Sequence, residues 1–238
     1  MGTATGSGRS DEVKAAVVEA IKVGYRHFDT AAFYGTEKAV GEAIVFKSGF
    51  SEISRREESP EFGTRFGKQW RSQNLGLTKS IGVSNFTSQK IQEIVSFAKI
   101  PPVVNQVEMN PLWQQKQLNE FCKENHILLT AYSPLASAGN SWGNNSVIGC
   151  DVLQDIAKSR GKTTAQISLR WLYEQGVSFV VKSFNKERMM QNVDIFDWAL
   201  TQEDLNKISQ IPQRKLVYLL GFVVREPNDI TAEIDSKL

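Results

Sequence analysis

The chain has 238 residues, 41% hydrophobic and 23% charged, which are globular values and enough for one large domain. Its 28 basic and 26 acidic residues leave a net charge of +2 with no basic run, so charge gives no case for nucleic acid as a partner. Two cysteines, Cys122 and Cys150, and two histidines, His27 and His126, show no metal-ligand spacing, and no metal is expected. The longest apolar run, residues 216–224, is far below the ~20 residues of a spanning helix, so no membrane is expected either.

Residues 1–8 are small and Gly-rich. Gly6-Ser7-Gly8 lacks the third glycine and the preceding strand of a dinucleotide loop. Ser10 reads as an N-cap, with Asp11 and Glu12 at the positive helix end. Val13, Ala16, Val17, Ala20 and Ile21 keep helical spacing, and Gly24 is the stop. Residues 25–31 read as a buried strand, with Asp29 near its end and Tyr34 in the loop beyond. A short helix follows from near Thr36 to about Ile44. Residues 45–66 hold no period and are dominated by charge, Gly and Ser, which predicts a divergent, disordered segment.

A helix resumes near Lys68 and stops at Gly76. Residues 79–83 form a strand ended by Ser84-Asn85. Thr87 or Ser88 caps the next helix, and Pro101-Pro102 precedes a strand over 103–109. Residues 114–124 are helical with Leu118, Phe121 and Cys122 inward, and 127–132 are a strand. A Gly/Ser/Asn loop over 136–146 surrounds Trp142. Helices over 151–160 and 165–175 end at Gly161 and Gly176, the second capped by Thr163 or Thr164. A buried strand over 178–183 leads to Asn185, which caps a helix from Lys186, and Thr201 opens the last helix. Strands and helices alternate, so the sheet is parallel and the class is α/β, a (β/α) barrel. The whole chain, 1–238, reads as a single domain, with 215–238 a divergent tail. Residues 3–5 read as the remnant of one more strand.

Chemistry gathers at two places. The first is Asp29 with Tyr34, at the strand end where catalytic groups collect in parallel folds. The second is Ser183-Phe184-Asn185-Lys186-Glu187-Arg188, preceded by Lys182. There a helix start offers free N–H groups between two cations, which suits a nucleotide phosphate and equally suits a solvated helix start.

Three motifs tip that balance. They are Gly24-Tyr25-Arg26-His27-Phe28-Asp29 with Tyr34 and Glu37-Lys38-Ala39-Val40-Gly41, the run over 75–86, and Val180-Val181-Lys182-Ser183 with Arg188 and Asn192. Together they resemble the signatures of the aldo-keto reductases. Asn105-Gln106-Val107-Glu108-Met109-Asn110-Pro111 and the run over 192–200 are most similar to its plant branch of chalcone and codeinone reductases. The resemblance implies a (β/α)8 TIM-type barrel, a monomer in the cytoplasm, NADPH as cofactor and a small carbonyl compound as substrate. It makes Asp29 and Tyr34 half of a catalytic tetrad. Ser84, Asn85 and Gln106 would hold the nicotinamide carboxamide, and Tyr132 would stack on its ring. Ser133, Leu135 and Ser137 would face the pyrophosphate. Lys182, Ser183, Asn185, Arg188 and Asn192 would take the adenosine 2′-phosphate end, with Gln191 where the family often has Glu. Trp113 and Trp142 stand either in an apolar substrate pocket or in the core.

The resemblance fails over 45–66 and after Leu216. The family carries two further strands in the first gap, one ending in the tetrad Lys and the other in the tetrad His, so the barrel is expected to be incomplete. His27 and His126 read as structural, and neither Lys47 nor Lys68 lies on a strand aimed at Tyr34. Three readings stay open: an NADPH-dependent carbonyl reductase, an inactive truncated homologue that binds NADP(H) or a partner, and a truncated product that does not fold. The terminal Ser236-Lys237-Leu238 matches a peroxisomal address, the alternative to a cytoplasmic location.

Overall fold

The structure is a computed structural model, and it describes residues 1–5, 9–31, 34–48, 73–76, 78–139 and 143–216. Helix α1, Ser10–Val23, turns Val13, Ala16, Val17 and Ala20 inward. It ends at Gly24, whose φ of 115° lets its N–H return to the carbonyls of Ala20 and Ile21. Ser10 is not the cap: Arg9 holds that position without a side-chain bond, because the first intrahelical bond runs from Val13 N–H to the Arg9 carbonyl. Helix α2, Glu37–Ser48, runs past Ile44, so residues 45–48 are helical rather than patternless. Val45 and Phe46 simply prolong the apolar run of Ala43 and Ile44. The rest of the 45–66 segment, Lys68, and the tail beyond Leu216 lie outside the described residues.

Strands β1 (Gly82–Ser84), β2 (Val104–Glu108), β3 (Leu128–Tyr132) and β4 (Ser178–Phe179) form one parallel sheet in chain order. Helices α3 (Ser88–Phe97) and α4 (Lys116–Glu124) connect the first three strands. Helices α5 (Asp151–Arg160) and α6 (Thr164–Glu174) lie between β3 and β4, and α7 (Lys186–Val193) and α8 (Gln202–Ser209) follow. Thr87 and Thr163 are the caps that the neighbouring alternatives left open, the latter in a capping box with Gln166. A second box joins Thr201 to Asp204. Helix α4 starts two residues later than its spacing suggests, because Gln115 takes the left-handed region, φ 48°, just ahead of it.

Two expected strands differ. The 178–183 strand is regular only over β4, although Val180 N–H still reaches the Ala131 carbonyl. Residues 25–31 are extended but make a single parallel bridge, Gly2 to Asp29. Their partner is the short segment 1–3, displaced from the expected 3–5. Asp29 N–H donates to the Met1 carbonyl (2.9 Å), Thr3 N–H to the Asp29 carbonyl (3.1 Å), and Gly2 N–H to the Val181 carbonyl (3.1 Å). These bonds extend the sheet beyond β4, first by residues 1–3 and then by residues 27–29.

The sheet is curled. Four strand spacings of about 4.8 Å would part β2 from residue 29 by about 19 Å in a flat sheet. Instead the Gln106 Nε2 on β2 donates to Asp29 Oδ1 at 3.1 Å. That bond crosses the interior that the curled sheet encloses. The main core gathers Ile91, Val107, Met109, Leu129, Ala131, Leu153, Ile156, Ile167 and Leu172 around β2 and β3. A smaller core, Val13, Val17, Ala39, Val40 and Ala43, joins α1 to α2, and Ala16, Ala20 and Met189 join α1 to α7.

Candidate active site

The strand ends converge on one mouth. Asp29 is fixed through its backbone: its carbonyl accepts both the Thr3 N–H (3.1 Å) and the Thr3 hydroxyl (2.7 Å). Its carboxylate accepts the Gln106 amide. Tyr34 lies close by, with its N–H on the Ala31 carbonyl (2.8 Å) and Gly35 at φ 61°. Burial, then the charge of Asp29, pushes the Tyr34 phenol above the ordinary tyrosine range. Both act against the phenolate.

Asn85 sits at the end of β1 in the left-handed region, φ 59°, a conformation asparagine tolerates. Its N–H and the Ser84 hydroxyl both donate to the Gln106 carbonyl, at 2.9 Å each. The Tyr132 hydroxyl, at the end of β3, donates to Asn85 Oδ1 at 3.0 Å. Burial, then Glu108, raises the Tyr132 phenol, and Tyr34 is near enough to add to the shift. Hydrogen bonds therefore join Asp29, Ser84, Asn85, Gln106 and Tyr132, and Tyr34 lies near enough to Asp29 and Tyr132 to interact with both electrostatically.

Beyond β3, Ser133, Ala136 and Ser137 all take positive φ, at 50°, 52° and 54°. The Ser133 and Ser137 hydroxyls bond at 2.8 Å, and Gly143 lies so close that a Cβ there would be 2.2 Å from the Ser137 carbonyl oxygen. Leu135 packs between the main core and the cluster of Leu169, Val181 and Ile195.

The second group surrounds the start of α7. The Asn185 side chain accepts the Arg188 N–H at 2.9 Å, while Ser183 Oγ accepts the Asn185 N–H at 3.2 Å. Lys182 Nζ lies 5.0 Å from the Phe184 ring centroid. Burial, then the positive charge of Arg9, holds this lysine below its usual range, against the opposing pull of Glu12. The Arg188 side chain is exposed and Asn192 is buried. Asn192 hydrogen-bonds Tyr25, whose hydroxyl also donates to the Met189 carbonyl at 3.3 Å.

Trp113 belongs to neither group: its backbone pairs with Asn110 in a turn after β2. Trp142 and the Lys47 side chain lie outside the described residues. His27 and His126 are exposed, the latter at φ 56° in the turn before β3. Among the described residues no cluster of His, Cys, Asp and Glu could hold a metal, and no helix is long and apolar enough to cross a membrane.

Sequence spacing passed over several contributors. Glu108 is 1% exposed, accepts the Leu216 N–H at 2.9 Å and raises Tyr132. Asn105 clamps Phe86 with two bonds, at 3.3 and 2.8 Å. The available signal was a pair of polar residues inside an otherwise buried strand. Thr3, Thr30 and Thr36 form a hydroxyl chain, with Thr36 2.9 Å from Thr3 and 2.8 Å from Thr30.

Comparison with known proteins gives this geometry a context. The profile described as "Aldo/keto reductase family" matches residues 1–57 and 71–213. A D-galacturonate reductase of Fragaria ananassa is 43% identical over 287 residues, covering 96% of this chain and 89% of its own. The NAD(P)H-dependent 6'-deoxychalcone synthase of Glycine max is 45% identical over 275 residues, covering 91% and 87%. Both alignments are longer than the 238-residue chain, so these relatives carry positions without a counterpart here. The aldo-keto reductase MGS-M4, from a deep-sea metagenome library of the Medee basin, superposes with a TM-score of 0.79 at 30% identity over 92% of each chain. The aldose reductase of Schistosoma japonicum shares the fold, with a TM-score of 0.76 at 22% identity over 90% of this chain and 89% of its own.

Proposed function

We propose that this chain, which belongs to the aldo/keto reductase family of oxidoreductases acting on carbonyl groups, reduces an aldehyde or ketone to an alcohol with NADPH. The observation that carries the reading is the Gln106–Asp29 bond across the barrel mouth, with Tyr34, Asn85 and Tyr132 around it. The relatives named as plant reductases support a small carbonyl substrate.

The residues present fit the cofactor. Lys182 is a cation disfavoured by burial and by Arg9, and a phosphate would relieve both effects. The capped start of α7 adds backbone N–H groups beside it, with Arg188 able to grip a phosphate in bidentate fashion. At the other end, Gln106 can accept a carboxamide N–H through Oε1 while its Nε2 stays on Asp29. Ser84 and Asn85 lie beside it, and Tyr132 offers its ring. On this reading Ser133, Leu135 and Ser137 would face the pyrophosphate between the two ends.

Bound NADPH supplies the hydride. The chain's own task is the proton. On this reading Tyr34 donates its phenolic proton to the forming alkoxide oxygen, and burial, then the charge of Asp29, holds that proton on the phenol beforehand. A positioned acid contributes ~10²–10⁴-fold. A cation beside Tyr34 would ease that donation, but among the described residues the influences acting on it are burial and Asp29. The same observation favours a second reading, in which the chain binds NADP(H) with little turnover.

Titration with NADPH, followed by quenching of intrinsic fluorescence, tests the cofactor site. Consumption of NADPH with a simple aromatic aldehyde then separates the readings. Micromolar binding with turnover that Tyr34→Phe abolishes supports the reductase. Binding without turnover supports the second reading, and no binding refutes both.

A further inference from the structure

The proton of each hydroxyl in the threonine chain has a defined direction. The Thr3 hydroxyl gives its one proton to the Asp29 carbonyl at 2.7 Å. It must therefore accept from Thr36, 2.9 Å away. With its proton spent on Thr3, Thr36 must accept from Thr30, 2.8 Å away. The order is Thr30 to Thr36 to Thr3 to the Asp29 carbonyl. Aligned hydroxyls polarise one another and strengthen the series.

The placement matters as much as the direction. Thr30 adjoins Asp29, and Thr36 stands two residues beyond Tyr34 and just ahead of α2, where its carbonyl accepts the Val40 N–H. The Thr30–Thr36 bond thus ties together the two ends of the turn that bears Tyr34. The Thr36–Thr3 bond then ties that base to the segment holding Asp29. Thr3 is fully buried and Thr36 is 3% exposed, so water does not compete for the bond between them, while Thr30 is half-buried. Thr36 is the only member of the series bonded to both others.

We propose that Thr36 is a positioning residue for the Asp29–Tyr34 pair, its hydroxyl closing the base of the Tyr34 turn and registering it against Asp29. The inference rests on the reading of Tyr34 as proton donor. Thr36 touches no substrate and acts only by fixing where the phenol stands.

The test compares the full-length chain with Thr36→Val and Thr36→Ser. Valine keeps the shape and deletes the hydroxyl, while serine keeps the hydroxyl. With NADPH and 4-nitrobenzaldehyde, Thr36→Val should lower kcat by about tenfold or more, since small misplacements of a catalytic group are costly. NADPH affinity should stay within about twofold, because α7 is untouched, and Thr36→Ser should behave like the parent. An equal loss in both variants assigns the effect to methyl packing and overturns the proposal. So does a lowered Tm with unchanged kcat.

If the parent shows no turnover, the proton-donor reading fails and a second measurement decides the positioning claim. Tyrosine labelled with ¹³C at Cζ, assigned through Tyr34→Phe, reports the Tyr34 titration by NMR. Thr36→Val should move its midpoint down toward the ordinary tyrosine value as the turn opens to water, and Thr36→Ser should not. An unmoved midpoint in Thr36→Val overturns the proposal. Should Thr36→Val fail to fold, Thr30→Val, which removes only the outer link, is read in its place by the same criteria.

Discussion

Replacing Arg170 by methionine should destabilise the fold strongly and loosen the cofactor end of the site. Arg170 Nε donates to Glu174 Oε1 at 2.6 Å, and Nη1 donates to the Ile195 carbonyl at 2.7 Å. The guanidinium also stacks 5.0 Å from the Tyr173 ring and 5.7 Å from that of Trp198. The side chains of Arg170 and Glu174 are only 10% and 16% exposed, so this is a buried pair rather than a surface one. Methionine fills much of the volume but strands the Glu174 carboxylate and the Ile195 carbonyl. Breaking a buried pair costs about 3–5 kcal/mol. Glu174 keeps one partner, the Leu200 N–H at 2.9 Å, which places the net loss near the lower end, about 3 kcal/mol. In a chain of this size that is a Tm drop of about 6–12 °C. Because Ile195 follows α7, NADPH affinity should weaken as well. Urea unfolding of Arg170→Met, Glu174→Gln and the double variant gives the coupling directly. The double variant should regain part of the loss, since it leaves no buried charge. A single-variant loss below about 1 kcal/mol, or no coupling, would refute the argument that this pair is buried and interdependent.

Lys182→Met should weaken NADPH by about tenfold or more and leave NADH nearly unchanged, because the lysine would serve the 2′-phosphate alone; equal losses for both nucleotides would contradict the assignment. Tyr132 makes stability fall at high pH. Its folded-state pKa is raised by burial and Glu108, so the folded chain retains a proton that the unfolded chain releases. The contribution is whole below the unfolded tyrosine value of about 10 and is lost as pH climbs from there toward the folded value. Urea midpoints above pH 10 should decline less steeply in Tyr132→Phe, and parallel declines would show that the tyrosine is not the source.

The sequence was most legible where local chemistry is self-contained. Gly24 announces the end of α1, and Thr163 with Gln166 or Thr201 with Asp204 announces a helix start, because each contact lies within one turn. Strand β3 read clearly because its Leu-Leu-Thr-Ala-Tyr run is apolar enough to be buried, and β2 because Pro101-Pro102 bars a helix just before it. Residues 25–31 misled for the opposite reason. Their aromatic run has strand propensity, but regular pairing needs a partner, and the partner in the structure is a three-residue segment contacting Asp29. Propensity cannot report the length of a neighbour distant in sequence. The site divides in the same way. Motifs pointed to Asp29, Tyr34, Gln106 and Lys182 one at a time. That Gln106 faces Asp29, that Glu108 burdens Tyr132, and that three threonines join in series follow from the curl of the sheet, which no local pattern encodes.

The two halves of the mouth are held by unequal means, and this has a measurable consequence. Asn85 follows directly on β1, Gln106 and Tyr132 stand on β2 and β3, these strands pair along their lengths, and β2 and β3 carry Val107, Leu129 and Ala131 of the main core. Asp29 depends on a single bridge, two backbone bonds to Met1 and Thr3, the Thr3 hydroxyl and the Gln106 amide. Local opening follows the buried contacts that must be broken, so the Asp29 segment should open well before β2 does. Native-state hydrogen exchange should show the N–H groups of Asp29 and Thr3 exchanging at least about tenfold faster than those of Val107 and Leu129, a gap of about 1.4 kcal/mol in opening free energy. NADPH should protect the β2–β3 and α7 amides first, with the Asp29 segment gaining less. Equal protection across both halves would mean that the curled sheet unfolds as one unit, and that the few bonds around Asp29 hold it as firmly as the core holds β2.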